Sequence, residues 1–298
     1  MSSRYGILMA FALVNAVWGT TFLAIRVGVQ DLPPGLFGGV RFLLGGLIMI
    51  VVARLLKQSL PRTWADWKVI LITGFLMVVG GNGLVTWAEQ WLPSNQAALL
   101  VTASALWMAL LGTLGPKGVA LTPRVIFGLA LGFAGTTVMF WPESGFSSEY
   151  LWAQLAALGS SFLWSVAAIY LRNAELETRE IPFAAAQMLS GGLMMCVIGV
   201  LAGELPRWEM TTNGALSLSY LVVMGSCIAY SAYLWMIPRA APATLGTIAY
   251  IVPVIATFAG WGLLGERLSG AQFFGMAVIV VGVAIVTWPE RRDALTGG

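Results

Sequence analysis

Two stretches of the chain are related, "LTPRVIFGLALGFAGTTVMFWPE" at residues 121–143 and "LSGAQFFGMAVIVVGVAIVTWPE" at residues 268–290. Aligned at a separation of 147, they share eight identical residues across 23 positions. Each stretch is an apolar run that ends in Trp-Pro-Glu. This pattern indicates an internal repeat, which is the first feature to look for in a chain of unknown fold.

A separation of 146 extends the repeat toward the N-terminus. It aligns Trp18 with Trp164, Arg26 with Arg172, and "GGL" at 45–47 with "GGL" at 191–193. We therefore predict two homologous halves, residues 1–145 and residues 146–298.

Composition places both halves in a membrane. Of the 298 residues, 58% are hydrophobic and 10% charged, whereas soluble domains carry about 25% charged residues. A spanning helix needs about 20 mostly apolar residues. Ten such segments are predicted at 6–28, 35–56, 67–90, 94–114, 122–141, 150–172, 181–203, 213–236, 241–264 and 269–288.

Each half therefore contains five helices. Because five is odd, the second half must sit upside down relative to the first, as in many secondary transporters. We predict an all-α integral membrane protein with ten transmembrane helices in two inverted five-helix repeats. The first segment lacks a small-x-small cleavage site before its end, so it is interpreted as a retained helix.

Basic residues predict the orientation of this bundle. With the N-terminus inside, twelve of the 16 Lys and Arg residues fall on the cytoplasmic side, as the positive-inside rule requires. Both termini are therefore predicted to be cytoplasmic. Nucleic-acid binding is not needed to explain the net charge of +3.

Catalytic and metal-binding patterns are absent from the sequence. There is no histidine, and the two cysteines, Cys196 and Cys227, lie inside predicted helices. An intramembrane enzyme would need a nucleophile with a base, paired acids or a metal site. We therefore expect neither an enzyme nor a cofactor.

The third predicted helix carries a polar face. Asn82, Thr86 and Glu89 are spaced by four and three residues, which places them on one side of a helix. Such a face either packs against neighbouring helices, with nearby glycines allowing close approach, or lines a cavity. We favour the cavity.

Arg41 and Glu89 are the charged residues of interest, because their predicted depths in the membrane overlap. Ionised side chains there need a partner or water, so one hypothesis is that the two interact, directly or through water. The alternative is that Arg41 extends outward and Glu89 is solvated. Glu266, in a glycine-flanked turn, is interpreted as a solvated connector.

Trp18 and Trp164 occupy equivalent positions near the middle of their helices, where an interfacial belt does not explain them. A single buried aromatic is more often packing than a ligand contact, but this pair fits a site between inverted repeats. We predict a substrate site containing Trp18, Thr21, Asn82, Thr86, Trp107, Trp164, Tyr230, Thr247 and Tyr250. Glu89, Arg41 and Pro253 are the predicted coupling or gating residues.

Such a lining suits a small amphipathic, zwitterionic or cationic solute. No pair of basic residues at membrane depth could bind phosphate, which counts against a nucleotide-sugar or sugar-phosphate exchanger.

Several motifs resemble the ten-helix EamA-type branch of the drug/metabolite transporter superfamily, over essentially the full chain. They are "WGTTFLAIRVGV" at 18–29, "PPGLFGGVRFLLGG" at 33–46, "VGGNGLVTWAEQWLPSNQAALL" at 79–100, "APATLGTIAYIVPVIA" at 241–256 and "LLGERLSG" at 263–270. Within the branch the chain is most similar to the YedA-like exporters. The resemblance implies inverted repeats, cytoplasmic termini, a central cavity and export of small metabolites or toxic compounds. It assigns the arginine of the second helix to Arg41 and the central proline of the ninth to Pro253.

The expected function is therefore alternating-access export of a small organic solute across the inner membrane. Facilitated movement without ion coupling and a non-transporting membrane scaffold are the alternatives. Expected partners are the solute and the lipid bilayer, with protons as a further candidate, and the expected assembly is a monomer. If protons are coupled, Glu89 is the carboxylate to carry them.

Overall fold

A computed structural model describes residues 2–92, 94–141, 148–264 and 268–288. All regular secondary structure in these ranges is helical. Eight of these helices are long and apolar enough to span a membrane, and two shorter apolar helices accompany them. The predicted all-α fold is confirmed.

The ten membrane helices are α1 (Ser2–Asp31), α2 (Pro34–Leu55), α3 (Trp64–Ala88), α4 (Ser94–Val101 and Ser104–Leu111), α5 (Pro123–Phe140), α6 (Leu151–Asn173), α7 (Glu180–Leu201), α8 (Thr212–Met236), α9 (Pro242–Gly246 and Ile248–Leu264) and α10 (Gly270–Thr287).

Helix bounds differ modestly from the predicted segments. The first helix is longer than the predicted 6–28. Helices α4 and α9, predicted as continuous, are each interrupted, α4 near its middle and α9 near its start. Hydropathy does not report such breaks, because the residues on both sides are apolar. Some residues of the quoted motifs lie outside the described part of the chain: Pro93, Pro142, Glu143, Gly265, Glu266, Arg267, Pro289 and Glu290.

Several helices begin with a hydroxyl side chain that accepts a hydrogen bond from a backbone N–H of the first turn, which satisfies an otherwise unpaired donor. Thr122 caps α5 by accepting from the Val125 N–H, and Ser269 caps α10 through the Gln272 N–H. These two caps are 147 residues apart, so the repeat includes the starts of its helices. Thr63 and Thr211 cap α3 and α8 in the same way.

Contacts between α5 and α10 show that the repeats are inverted. A Cβ placed on Gly128 would lie 2.8 Å from the Gly282 carbonyl oxygen, and one on Gly135 would lie 2.8 Å from that of Gly275. The earlier glycine of one helix thus faces the later glycine of the other, so the helices run antiparallel. The repeat aligns Gly128 with Gly275 and Gly135 with Gly282. The symmetry of the repeat therefore converts the contact between Gly128 and Gly282 into the contact between Gly275 and Gly135.

The same relation holds between α2 and α7. A Cβ on Gly39 would lie 3.0 Å from the Gly192 carbonyl oxygen, and one on Gly46 would lie 3.0 Å from that of Ala185. At a separation of 146, Gly39 corresponds to Ala185 and Gly46 to Gly192. These two helix pairs have the most extensive contacts in the bundle, and small residues allow this close approach of backbones in a membrane.

Helices α3 and α8 each contain a π-helical segment, at Gly74–Gly83 and Leu221–Tyr230. The two segments are 147 residues apart, so they occupy equivalent positions in the two repeats. Helices α5 and α10 show the same separation, whereas the first two helices of each half align at a separation of 146. Near the end of the first segment, the Asn82 side chain donates through Nδ2 to the carbonyl of Met77 at 3.2 Å. Segments of this kind are rare and often lie at functional sites.

Candidate functional site: a central aromatic cavity

A cavity of about 1050 Å³, including its open end, lies between the two repeats. It is formed by residues of α1, α2, α3, α4, α6, α8 and α9. Most of its lining is apolar or aromatic, which is typical of small-molecule sites. Eight of the residues predicted for the site line it, namely Trp18, Thr21, Arg41, Asn82, Glu89, Trp164, Tyr230 and Pro253.

The equivalent tryptophans meet at the centre of this cavity. The rings of Trp18 and Trp164 contact edge to face, with centroids 5.7 Å apart. Both also contact Tyr233, at 5.1 and 5.3 Å, and Trp164 contacts Tyr230 at 5.9 Å. The Trp164 Nε1–H donates to the Tyr233 hydroxyl at 2.9 Å. We call these four residues the aromatic cluster.

Tyr233 was missed in the sequence. Its spacing from Tyr230 could have identified it, because residues three apart in a helix lie on the same face. Ser104, Ser160 and Ser161 also line the cavity without having been predicted.

Four predicted residues lie elsewhere. Thr86 is buried on the flank of α3, about 40° around the helix from Asn82, whereas the lining residues Val85 and Glu89 lie on the other side of Asn82. Trp107 packs on Phe162 with ring centroids 5.3 Å apart.

The other two are on α9, where they bond within the protein. The Thr247 hydroxyl donates to the Thr244 carbonyl at 2.7 Å, and the Tyr250 hydroxyl donates to the Leu129 carbonyl at 3.1 Å. The lining face of α9 carries Ile248, Ala249 and Val252 instead.

Arg41 and Glu89 line the same cavity. The Arg41 Nε–H donates to the Ser226 hydroxyl at 3.0 Å, and its guanidinium lies 4.9 Å from the centre of the Phe42 ring. No ion pair joins Arg41 to Glu89 in the described part of the chain.

The cavity is open toward one membrane face. It is lined by Ile25, near the end of α1, and by Glu89, which directly follows α3. The equivalent residues of the second repeat, Leu171 and Met236, lie outside the lining. Ile25 and Leu171 are similarly buried, at 8% and 7% exposed, whereas Glu89 is partly exposed and Met236 is 0% exposed. We call the two sides the Glu89 face and the Arg172 face.

Polar contacts join the helix ends at the Arg172 face. Arg172, at the end of α6, donates through Nη1 to the carbonyl oxygens of Ile237, at 3.0 Å, and Ala240. The Asp66 carboxylate accepts from the backbone N–H groups of Glu177 and Thr178 at 3.2 and 3.1 Å. Arg239 and Glu180 form an ion pair between α7 and the end of α8.

The fold and the cavity thus define a polytopic membrane protein of two inverted five-helix repeats with a central solute-sized site. The EamA-like transporter family model matches residues 4–141 and 151–288, and the chain belongs to that family.

Relatives from two organisms agree with this assignment. The inner membrane transporter YedA of Escherichia coli strain K12 is 32% identical, with 95% of this chain and 90% of YedA covered. A probable amino-acid metabolite efflux pump of the same strain is 26% identical over 100% of both chains. The transporter YoaV of Bacillus subtilis strain 168 is 22% identical, with 96% of this chain and 98% of YoaV covered.

A solved crystal structure has the same fold, with a TM-score of 0.82 at 24% identity, covering 96% of this chain and 98% of that one. Because the chain belongs to the EamA-like transporter family and its relatives are transporters, the protein is a multi-pass membrane transporter. Its relatives are transporters, which is consistent with the expectation that it is not an enzyme.

Proposed function

We propose that this transporter exports a small organic solute across the inner membrane by alternating access at the central cavity. The observation that carries the proposal is the unequal reach of the cavity. It extends from the aromatic cluster to Glu89 on one face, whereas the equivalent end of α8, at Met236, is buried. A site between inverted repeats that opens to one face at a time is the arrangement expected of a secondary transporter.

The orientation is part of the proposal. The Arg172 face carries the starts of α1, α3, α5, α7 and α9, together with most of the basic residues, so the positive-inside rule assigns it to the cytoplasm. Both termini are then cytoplasmic, and the state described here is open to the outside.

Repeat symmetry supports a specific gate. Arg172 closes the cytoplasmic face by binding the carbonyl oxygens of Ile237 and Ala240. Arg26 is its equivalent in the first repeat, and the equivalent of Ile237 is Gln90, at the end of α3. In the inward-open state, Arg26 closes the outer face through the Gln90 carbonyl while Arg172 releases its two carbonyls.

The solute is amino-acid-like, amphipathic or cationic, because the lining combines aromatic faces with a few hydroxyl and amide groups. The efflux pump of E. coli, whose name refers to amino-acid metabolites, favours the amino-acid-like class. Glu89, at the mouth of the cavity, is the candidate proton carrier. Facilitated diffusion, which needs no titrating residue, is the alternative within the same function.

The test is solute counterflow in proteoliposomes of the purified protein, after a thermal-shift screen of amino acids, polyamines, nucleosides and quaternary amines. We expect one class to raise the unfolding temperature and to exchange across the membrane. Trp164→Ala should abolish both effects, whereas Trp67→Ala, a change outside the cavity, should preserve them. Absence of exchange for every stabilising solute would refute transport through this cavity and favour a scaffold.

We also propose that the functional unit is a monomer in the lipid bilayer. Light scattering of the detergent-solubilised protein, corrected for bound detergent, should give one chain of 31.8 kDa. A stable dimer mass would contradict this assignment.

A further inference from the structure

Arg41 is a nearly buried cation that the protein only partly satisfies. It is 6% exposed and lines the cavity. A guanidinium group has five N–H donors. Over the residues that the structure describes, only the Nε–H of Arg41 finds an acceptor, the Ser226 hydroxyl. No carboxylate in that part of the chain forms an ion pair with it, so its charge and its terminal N–H groups have no acceptor among the described residues.

The surroundings of Arg41 hold the guanidinium in place. A Cβ at Gly225 would lie 2.8 Å from its Nη2 atom, so the missing side chain at that position makes room for the group. The Phe42 ring and the Ser226 hydroxyl fix two further sides. The planar donor fork is therefore positioned in advance, which reduces the entropy lost when it binds a partner.

The second repeat shows that packing does not require a charge at this position. At a separation of 146, Arg41 corresponds to Gln187, which is fully buried. Both ends of its amide are bonded within the protein. Its Nε2 donates to the Thr73 hydroxyl at 2.6 Å, and its Oε1 accepts from the Tyr230 hydroxyl at 3.1 Å. One repeat has a neutral, satisfied side chain where the other has an unsatisfied cation.

We propose that Arg41 is the anchor for a single carboxylate group of the transported solute, whose apolar body packs on the aromatic cluster. Burying an unpaired charge is costly unless a partner supplies opposite charge and acceptors. A carboxylate supplies both, because its two oxygens match the two terminal nitrogens of a guanidinium. Among the described lining residues Arg41 is the only base, and the one acid, Glu89, forms no ion pair with it, so a single solute carboxylate completes the pairing at Arg41. Among the solute classes proposed above, this favours amino-acid-like and amphipathic carboxylates over cations that lack a carboxylate.

This inference rests on the proposed function, because it specifies the solute of the same cavity. The probes are isosteric pairs that differ by one charge, 3-phenylpropionate against 3-phenylpropionamide, and phenylalanine against phenylalaninamide. The second pair is included because both of its members carry an ammonium group, which the site could require in addition to the carboxylate. Binding is measured by thermal shift and by tryptophan fluorescence in lipid nanodiscs, for the native protein, Arg41→Gln and Arg41→Lys.

In the native protein, we expect the acid of at least one pair to bind about 10- to 100-fold more tightly than its amide, as for a charge-assisted hydrogen-bonded pair. Arg41→Gln, which copies the second repeat, should remove this preference while retaining or raising the unfolding temperature without ligand. Arg41→Lys, which keeps the charge but loses the fork, should keep part of the preference. A preference that survives in Arg41→Gln would overturn the proposal, as would its absence from the native protein, whether both members of each pair bind or neither does.

Counterflow separates this inference from the broader function. If an amide or another neutral solute exchanges while acids show no advantage, transport stands and the carboxylate anchor fails. If acids bind through Arg41 but no solute exchanges, the anchor stands and transport fails.

Discussion

The close packing of α5 on α10 predicts a large effect from a single methyl group. In Gly282→Ala, the added Cβ would lie 2.6 Å from the Gly128 carbonyl oxygen and 2.7 Å from the Gly132 nitrogen. Both are backbone atoms, which cannot rotate away, so the helices must separate. Overpacking of this kind costs about 1–3 kcal/mol, while replacing glycine by alanine inside a helix returns about 0.5–1 kcal/mol. We expect a net loss of stability and a lower unfolding temperature.

Two further variants complete this test, which uses thermal unfolding of the purified protein in one detergent. Gly135→Ala changes the equivalent residue of the first repeat, where the Cβ would lie 2.8 Å from the Gly275 carbonyl oxygen, and it should destabilise similarly. Gly159→Ala is the matched control within α6, because no atom lies within 4 Å of its added Cβ, and it should leave stability unchanged or raise it. Equal unfolding temperatures for all three variants would refute the glycine-mediated packing of the inverted repeats.

Further predictions concern the gate, the aromatic cluster and the coupling residue. Arg172→Gln should slow counterflow, because it weakens two hydrogen bonds to carbonyls at the closed face worth about 1.5–3 kcal/mol each, whereas the exposed control Arg179→Gln should not; equal rates would exclude Arg172 as the gate. Trp164→Phe should lower stability by about 1 kcal/mol through loss of the bond to Tyr233, measured by denaturation in detergent, and no change would contradict that contact. Glu89→Gln should retain counterflow but lose uphill transport driven by a proton gradient; full proton-dependent accumulation would eliminate this proton site.

The sequence predicts the architecture well because the repeat and hydropathy act over long stretches. The matching tryptophans 146 residues apart also point to residues that meet at the cavity, since a residue close to the pseudo-two-fold axis lies close to its equivalent in the other repeat. Trp18 and Trp164 illustrate this, with ring centroids 5.7 Å apart.

Helix rotation limits prediction of the site. Thr247 and Tyr250 are polar residues on an apolar helix, which favours a place at the cavity, yet their hydroxyl groups bond to backbone carbonyls instead. A helix turns by about 100° per residue, and apolar neighbours on all sides give no sign of which face is turned inward. Depth along the membrane is easier to predict, as Arg41 and Glu89 show by lining one cavity without forming an ion pair.

Alternating access, the central claim, is tested most directly by labelling two equivalent positions, Glu89 and Met236. In a background without Cys196 and Cys227, Glu89→Cys would line the open end of the cavity, and Met236→Cys would be buried at the closed face. During solute exchange, labelling by a small polar maleimide should fall at position 89 and rise at position 236. Changes of the same sign at both positions, or a position 236 that stays unlabelled during exchange, would contradict alternating access.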